Sequence, residues 1–86
     1  MVEKEATVVP EAGLHARPAS LFVKTAKQFS SSITVVKDGR EANAKSPMKL
    51  MTLGARKGDG ILIRAEGEDE EEAVDALVKL ISKEEE

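Results

Sequence analysis

Ile33-Thr34-Val35-Val36-Lys37-Asp38-Gly39-Arg40 decides the fold of this 86-residue chain. A run rich in β-branched residues leads straight into Asp-Gly. That pair suits a two-residue type I′ turn, because both turn positions need positive φ. A hairpin is therefore expected, with Ile33 to Lys37 as one strand and Arg40 to Ala44 as a short return strand.

Working outward toward the N-terminus, Ser30-Ser31-Ser32 separates the hairpin from an amphipathic segment over Ala16 to Phe29. There Ala19, Phe22, Val23, Ala26 and Phe29 recur at helical spacing, while Lys24, Lys27 and Gln28 take the wet face. Pro18 suits the first turn, where its missing N–H costs nothing and its φ is already helical. Pro10 to Gly13 reads as a loop. Before it, Val2, Lys4, Ala6 and Val8 alternate with Glu3, Glu5 and Thr7 as in a half-buried strand.

Toward the C-terminus, Ser46-Pro47 starts a short helix, with Ser46 as N-cap, Pro47 at the first helical position and Gly54 closing it. Leu50 and Leu53 suit the core, whereas Met48 and Met51 lie on a different stripe. The loop Arg56 to Gly60 leads to a fourth strand, in which Ile61, Ile63 and Ala65 alternate with Leu62, Arg64 and Glu66. After Gly67, the acidic turn Glu68 to Glu72 complements the dipole of a last helix. Its expected stripe is Ala73, Leu77, Leu80 and Ile81, flanked by Val74 and Val78. Glu84-Glu85-Glu86 sits at the wrong end for that dipole and is expected to fray.

The order βαββαβα, with one apolar face per strand and one apolar stripe per helix, implies an α+β two-layer sandwich. Three helices would cover one face of the sheet. Glu3, Glu5, Thr7, Thr34 and Arg64 would lie on the solvated face. No repeat or linker interrupts residues 1–86, so a single domain is expected.

Composition narrows the function. With no cysteine and one histidine, neither a disulfide framework nor a metal site of several imidazole or thiolate ligands is available, and no cofactor is implied. No stretch approaches the roughly 20 apolar residues of a membrane span, and Met1 to Glu5 has no long apolar core, so a cytoplasmic protein is expected. Residues 1–65 carry a net charge of +5 and residues 66–86 a net of −8. The basic part favours an anionic ligand or an acidic protein partner. Two phenylalanines, no Tyr or Trp and an acidic balance argue against nucleic acid.

The sole histidine falls in Gly13-Leu14-His15-Ala16-Arg17-Pro18-Ala19. A helix N-terminus offers outward N–H groups and a positive dipole end, which together suit an anion. Pro18 has no N–H, so Ala16, Arg17 and Ala19 are the expected amide donors, and the Arg17 guanidinium suits phosphate oxygens. By spacing alone, however, the same residues describe a surface histidine beside a solvated arginine.

This stretch resembles the active-site signature of HPr, the histidine phosphocarrier family of the phosphoenolpyruvate-dependent sugar phosphotransferase system. The resemblance extends through Asp38-Gly39-Arg40, Ala44-Lys45-Ser46, Met51-Thr52-Leu53-Gly54, Lys57-Gly58 and the closing helix. It implies an open-faced sandwich whose four antiparallel strands run in the order 1-4-2-3. It also implies that phosphorylated enzyme I passes its phosphoryl group to Nδ1 of His15, with Arg17 assisting. Sugar-specific permease A components would then receive the group, so the chain would be a carrier and not a stand-alone enzyme. No Walker A loop or second catalytic base is present to activate a phosphate donor here.

Two further features stand beside that reading. Ser46 serves as a helix N-cap, while in many Gram-positive relatives the serine at this position is phosphorylated by a dedicated kinase. Pro47 stands where those relatives usually have an aliphatic residue. Ser20, Met48 and Met51 are expected to border the docking surface, since flexible methionine suits a surface that meets several partners. The competing functions are a regulatory module, acting through Ser46 with an HPr kinase/phosphorylase and a transcription regulator, and a carrier serving a non-sugar branch.

Overall fold

The computed structural model describes residues 1–11 and 13–82. The element order is β1 (Val2–Thr7), α1 (Ala16–Ala26), β2 (Ser32–Lys37), β3 (Arg40–Asn43), α2 (Pro47–Thr52), β4 (Gly60–Glu66) and α3 (Glu70–Ile81). All pairings are antiparallel, in the order β1-β4-β2-β3. This is the expected open-faced sandwich. The Asp-Gly hairpin also forms as expected, with φ of 50° at Asp38 and 80° at Gly39.

Register sorts the side chains onto two faces. Ala6 lies opposite Ile61, and Val35 faces both Ile63 and Ala42. These five residues are buried together with Phe22, Leu50, Ala73 and Leu77 of the helices. Burying each Val, Ile, Leu or Phe among them is worth about 1.5–3 kcal/mol, so a one-residue slip that turned these strands over would forfeit much of the core. Lys4 shares the helix-side face of the edge strand β1, and its ammonium pairs with Asp75 on α3. On the open face, Arg64 bonds Glu3 at 2.7 Å and reaches Glu41 at 3.8 Å. A depression of about 690 Å³, lined in part by Glu5, Thr7, Val36 and Leu62, also involves that face.

The ends of α1 and β3 and the buried stripe of α3 differ from expectation. Helix α1 stops at Ala26 rather than Phe29, because Gln28 and Phe29 donate to carbonyls three residues back and tighten the chain into a turn. Phe29 still packs against the core from beyond the helix. Strand β3 ends at Asn43, although the Ala44 N–H continues to the Ile33 carbonyl at 2.9 Å. In α3 the buried stripe is Ala73, Val74, Leu77 and Ile81, with Leu80 only partly buried against the core. Four-residue steps from Ala73 keep one face inward, whereas Leu80 falls on its flank. Glu84 to Glu86 lie outside the described residues.

One polar latch ties the α1–β2 turn to the start of α3. The Asp69 carboxylate accepts the Ser31 hydroxyl and the amides of Ser30 (2.9 Å) and Ser31 (3.0 Å). The Ser31 hydroxyl bond, followed by that of the Ser30 amide, holds the Asp69 carboxyl below the usual carboxylate range. A depressed folded-state pKa stabilises fully above the unfolded value, near pH 4. That contribution disappears as pH falls through the lower folded value. Asp69→Asn should therefore melt below wild type at about pH 7, and the gap should narrow toward about pH 2. Thermal melts across that range check it; a gap independent of pH would mean that the carboxylate charge is immaterial.

Candidate functional site

The His15 site is assembled from the β1–α1 loop and the loop that follows α2. Buried Leu14 donates its N–H to the Ala55 carbonyl at 3.0 Å, and the Gly13 N–H reaches Pro10 O at 2.9 Å. Gly13 has φ +66°, and a Cβ there would lie 2.3 Å from the Ala55 oxygen. A side chain is excluded at Gly13 by backbone on both counts.

His15 is exposed and stands at the N-cap of α1 in extended conformation (φ −145°, ψ 158°). Its ring makes no capping hydrogen bond, and the first turn contains no carboxylate. The imidazole is thus left to solvent and partners rather than spent on the helix. Ala16, Arg17 and Pro18 are the first three helical residues. The N–H groups of Ala16 and Arg17 lie ahead of the first i→i−4 bond and point out of the N-terminus, whereas that of Ala19 faces the His15 carbonyl by helix geometry. This narrows the expected amide donors from three to two. Arg17 is exposed, Pro18 and Ala19 are buried, and Ser20 is exposed.

Across from α1, the loop after α2 is braced by Asp59. Its carboxylate accepts the Arg56 N–H at 2.9 Å and lies 3.7 Å from the Lys37 ammonium. Val8 closes the brace, donating to Asp59 O at 2.9 Å and accepting from Gly58 at 2.7 Å. A cleft of about 230 Å³ results, lined by Leu14, His15, Met51, Gly54, Ala55 and Arg56. Sequence reading pointed to His15 and Met51 but missed Gly54, Ala55 and Arg56. Their approach to His15 runs through tertiary contact, and the Leu14–Ala55 bond spans 41 residues with no local signal.

Arg17, Ser20, Ser46 and Met48 are not among the described residues that line this cleft. Met48 is 75% exposed and Met51 37%, while Leu50 and Leu53 are buried, which agrees with the division expected of the short helix. Ser46 caps α2 through an Oγ that accepts from Lys49 at 3.4 Å, a long and therefore weak bond.

Comparisons with known proteins agree over most of the chain. The family model described as the PTS HPr component phosphorylation site matches residues 2–83. The phosphocarrier protein HPr of Haemophilus influenzae is 51% identical over 81 residues, covering 94% of this chain and 95% of that protein. The HPr-like protein Crh of Halalkalibacterium halodurans is 50% identical over 84 residues, 98% of this chain and all of that protein. A crystal structure of HPr from Thermoanaerobacter tengcongensis superposes with a TM-score of 0.92 at 53% identity, covering 94% and 91% of the two chains.

Proposed function

This chain belongs to the HPr phosphocarrier family of the phosphotransferase system, and from that premise we propose that it relays a phosphoryl group between proteins through His15. The supporting observation is an exposed histidine at a helix N-terminus whose ring its own helix does not use. Nδ1 attacks the phosphorus carried by enzyme I. The N–P bond forms as the donor's bond to phosphorus breaks, and the donor keeps that electron pair. Arg17 and the outward amides of the first turn stabilise the anion, with the dipole contributing about 0.3–2 kcal/mol. So moderate a stabilisation suits a group that must be handed on, next to an A component of a sugar permease.

The partners supply the chemistry that activates the donor, and the chain works as a carrier in the cytoplasm. Among the described residues no helix is long and apolar enough to cross a membrane. Ser20, Met48 and Met51 border the docking surface. Incubation with enzyme I, phosphoenolpyruvate and Mg²⁺ should give one acid-labile phosphate per chain. An acid-stable adduct would contradict a phosphohistidine.

The Crh-like relative favours a second reading beside the first, regulation through phosphorylation of Ser46 by an HPr kinase/phosphorylase and contact with a transcription regulator. Intact His15 argues against a purely regulatory paralogue. Phosphate at the start of α2 would suit the helix dipole and would add negative charge to a surface that meets acidic partners. Because the Lys49–Ser46 bond is long, Ser46→Ala should destabilise the fold by only about 0.5 kcal/mol, the low end for an N-cap. Denaturant unfolding measures this, and a loss above about 2 kcal/mol would make the serine chiefly structural. Service to a non-sugar branch would appear as preference for a different A component in competition assays.

A further inference from the structure

We infer that Arg56 is a second phosphoryl-binding residue, reaching the anion from the side of the His15 cleft opposite α1. The inference rests on the carrier reading of His15, and names a residue that the His15–Arg17 signature does not include.

Three observations carry it. Arg56 and His15 line the same cleft, and the remaining lining residues are Leu14, Met51, Gly54 and Ala55. Among the described lining residues His15 and Arg56 are the only ionisable ones, and none is an Asp or Glu that would repel an anion. Second, the Arg56 backbone is fixed: its N–H is held by Asp59 Oδ2 and its carbonyl accepts the Asp59 N–H, both at 2.9 Å. Asp59 itself sits near the Lys37 ammonium, so its charge is partly compensated on the far side. Third, Arg56 is exposed, and among the described residues its guanidinium has no ion-pair partner.

The volume fits as well. At about 230 Å³ the cleft exceeds several times the roughly 30 Å³ share of a water molecule, leaving room for a phosphoryl group on the ring. A guanidinium presents N–H donors in a planar fork that matches phosphate oxygens. Arg56 would bind the group whether it arrives on the donor or already sits on His15, since in transfer the two positions converge on one cleft.

Inorganic phosphate, titrated into the unphosphorylated full chain and followed by the His15 ring resonances in NMR, tests the assignment without any partner. Arg56→Gln should weaken phosphate binding about threefold to tenfold, as expected for one charge-assisted contact at an exposed site. Arg56→Lys should recover part of the loss, having the charge without the fork. Equal affinity in wild type and Arg56→Gln overturns the inference. So does an Arg56→Gln variant that binds phosphate normally and is slowed only in reaction with enzyme I, which would make Arg56 a docking residue. Phosphate binding lost with Arg56, in a chain that enzyme I never labels, would instead sink the carrier reading and keep the site.

Discussion

Gly13→Ala will lower the stability of this protein by about 2–4 kcal/mol, because two penalties fall at one position. The left-handed conformation (φ +66°) costs a side chain about 1–2 kcal/mol. In addition, the new Cβ would meet the Ala55 oxygen at 2.3 Å and the Arg56 Cα at 2.9 Å. Those atoms are backbone, so relief requires the two loops to separate. In a domain of this size such a loss is a fall in Tm on the order of 10–25 °C. The same separation would stretch the 3.0 Å Leu14–Ala55 bond that positions His15, so phosphoryl acceptance should slow even where the variant stays folded. Gly54→Ala is the control. Gly54 also has positive φ (65°), but a Cβ there meets nothing within 4 Å. It should cost about 1 kcal/mol, from strain alone. Equal Tm losses in the two variants would show that the loops are not in close contact.

The second large effect is functional. His15→Ala should abolish acid-labile labelling by enzyme I while leaving stability within about 0.5 kcal/mol of wild type. The ring is exposed and makes no capping bond, so its removal opens no cavity and leaves no donor newly unsatisfied. This separation of activity from stability is what distinguishes a phosphoryl acceptor from a structural histidine. Residual label in His15→Ala would place the phosphate on another residue. A variant that lost several kcal/mol would show that the ring supports the fold.

Much of the architecture was readable because local chemistry and global packing agree. Asp38-Gly39 specified its own turn, Ser46-Pro47 its helix start, and the alternation of Ile61, Ile63 and Ala65 its buried face. What periodicity does not contain is which strands meet. β4 lies between β1 and β2, and that order followed from family resemblance, since long-range pairing leaves no mark in a local pattern. The end of α1 departs from its expected place for a related reason. Phe29 has the right spacing for the helix and the right burial, yet reaches the core from a tightened turn after Ala26.

At the site, the same division holds. His15, Arg17 and Pro18 are contiguous, so their shared helix start was visible in the sequence. Arg56 reads in the sequence only as part of the loop that leads to β4. Its place beside His15 depends on the Asp59 brace and on the Leu14–Ala55 bond, neither of which has a sequence signature.

The relay itself is tested most directly by a chase. The chain is loaded with labelled phosphate by enzyme I, freed of the donor, and mixed with excess unphosphorylated A component of a sugar permease. The label should leave His15 and appear on the A component with little release as inorganic phosphate, and the recovered chain should accept a second round. Label that remains on the chain, or that escapes only to water, would contradict a phosphocarrier.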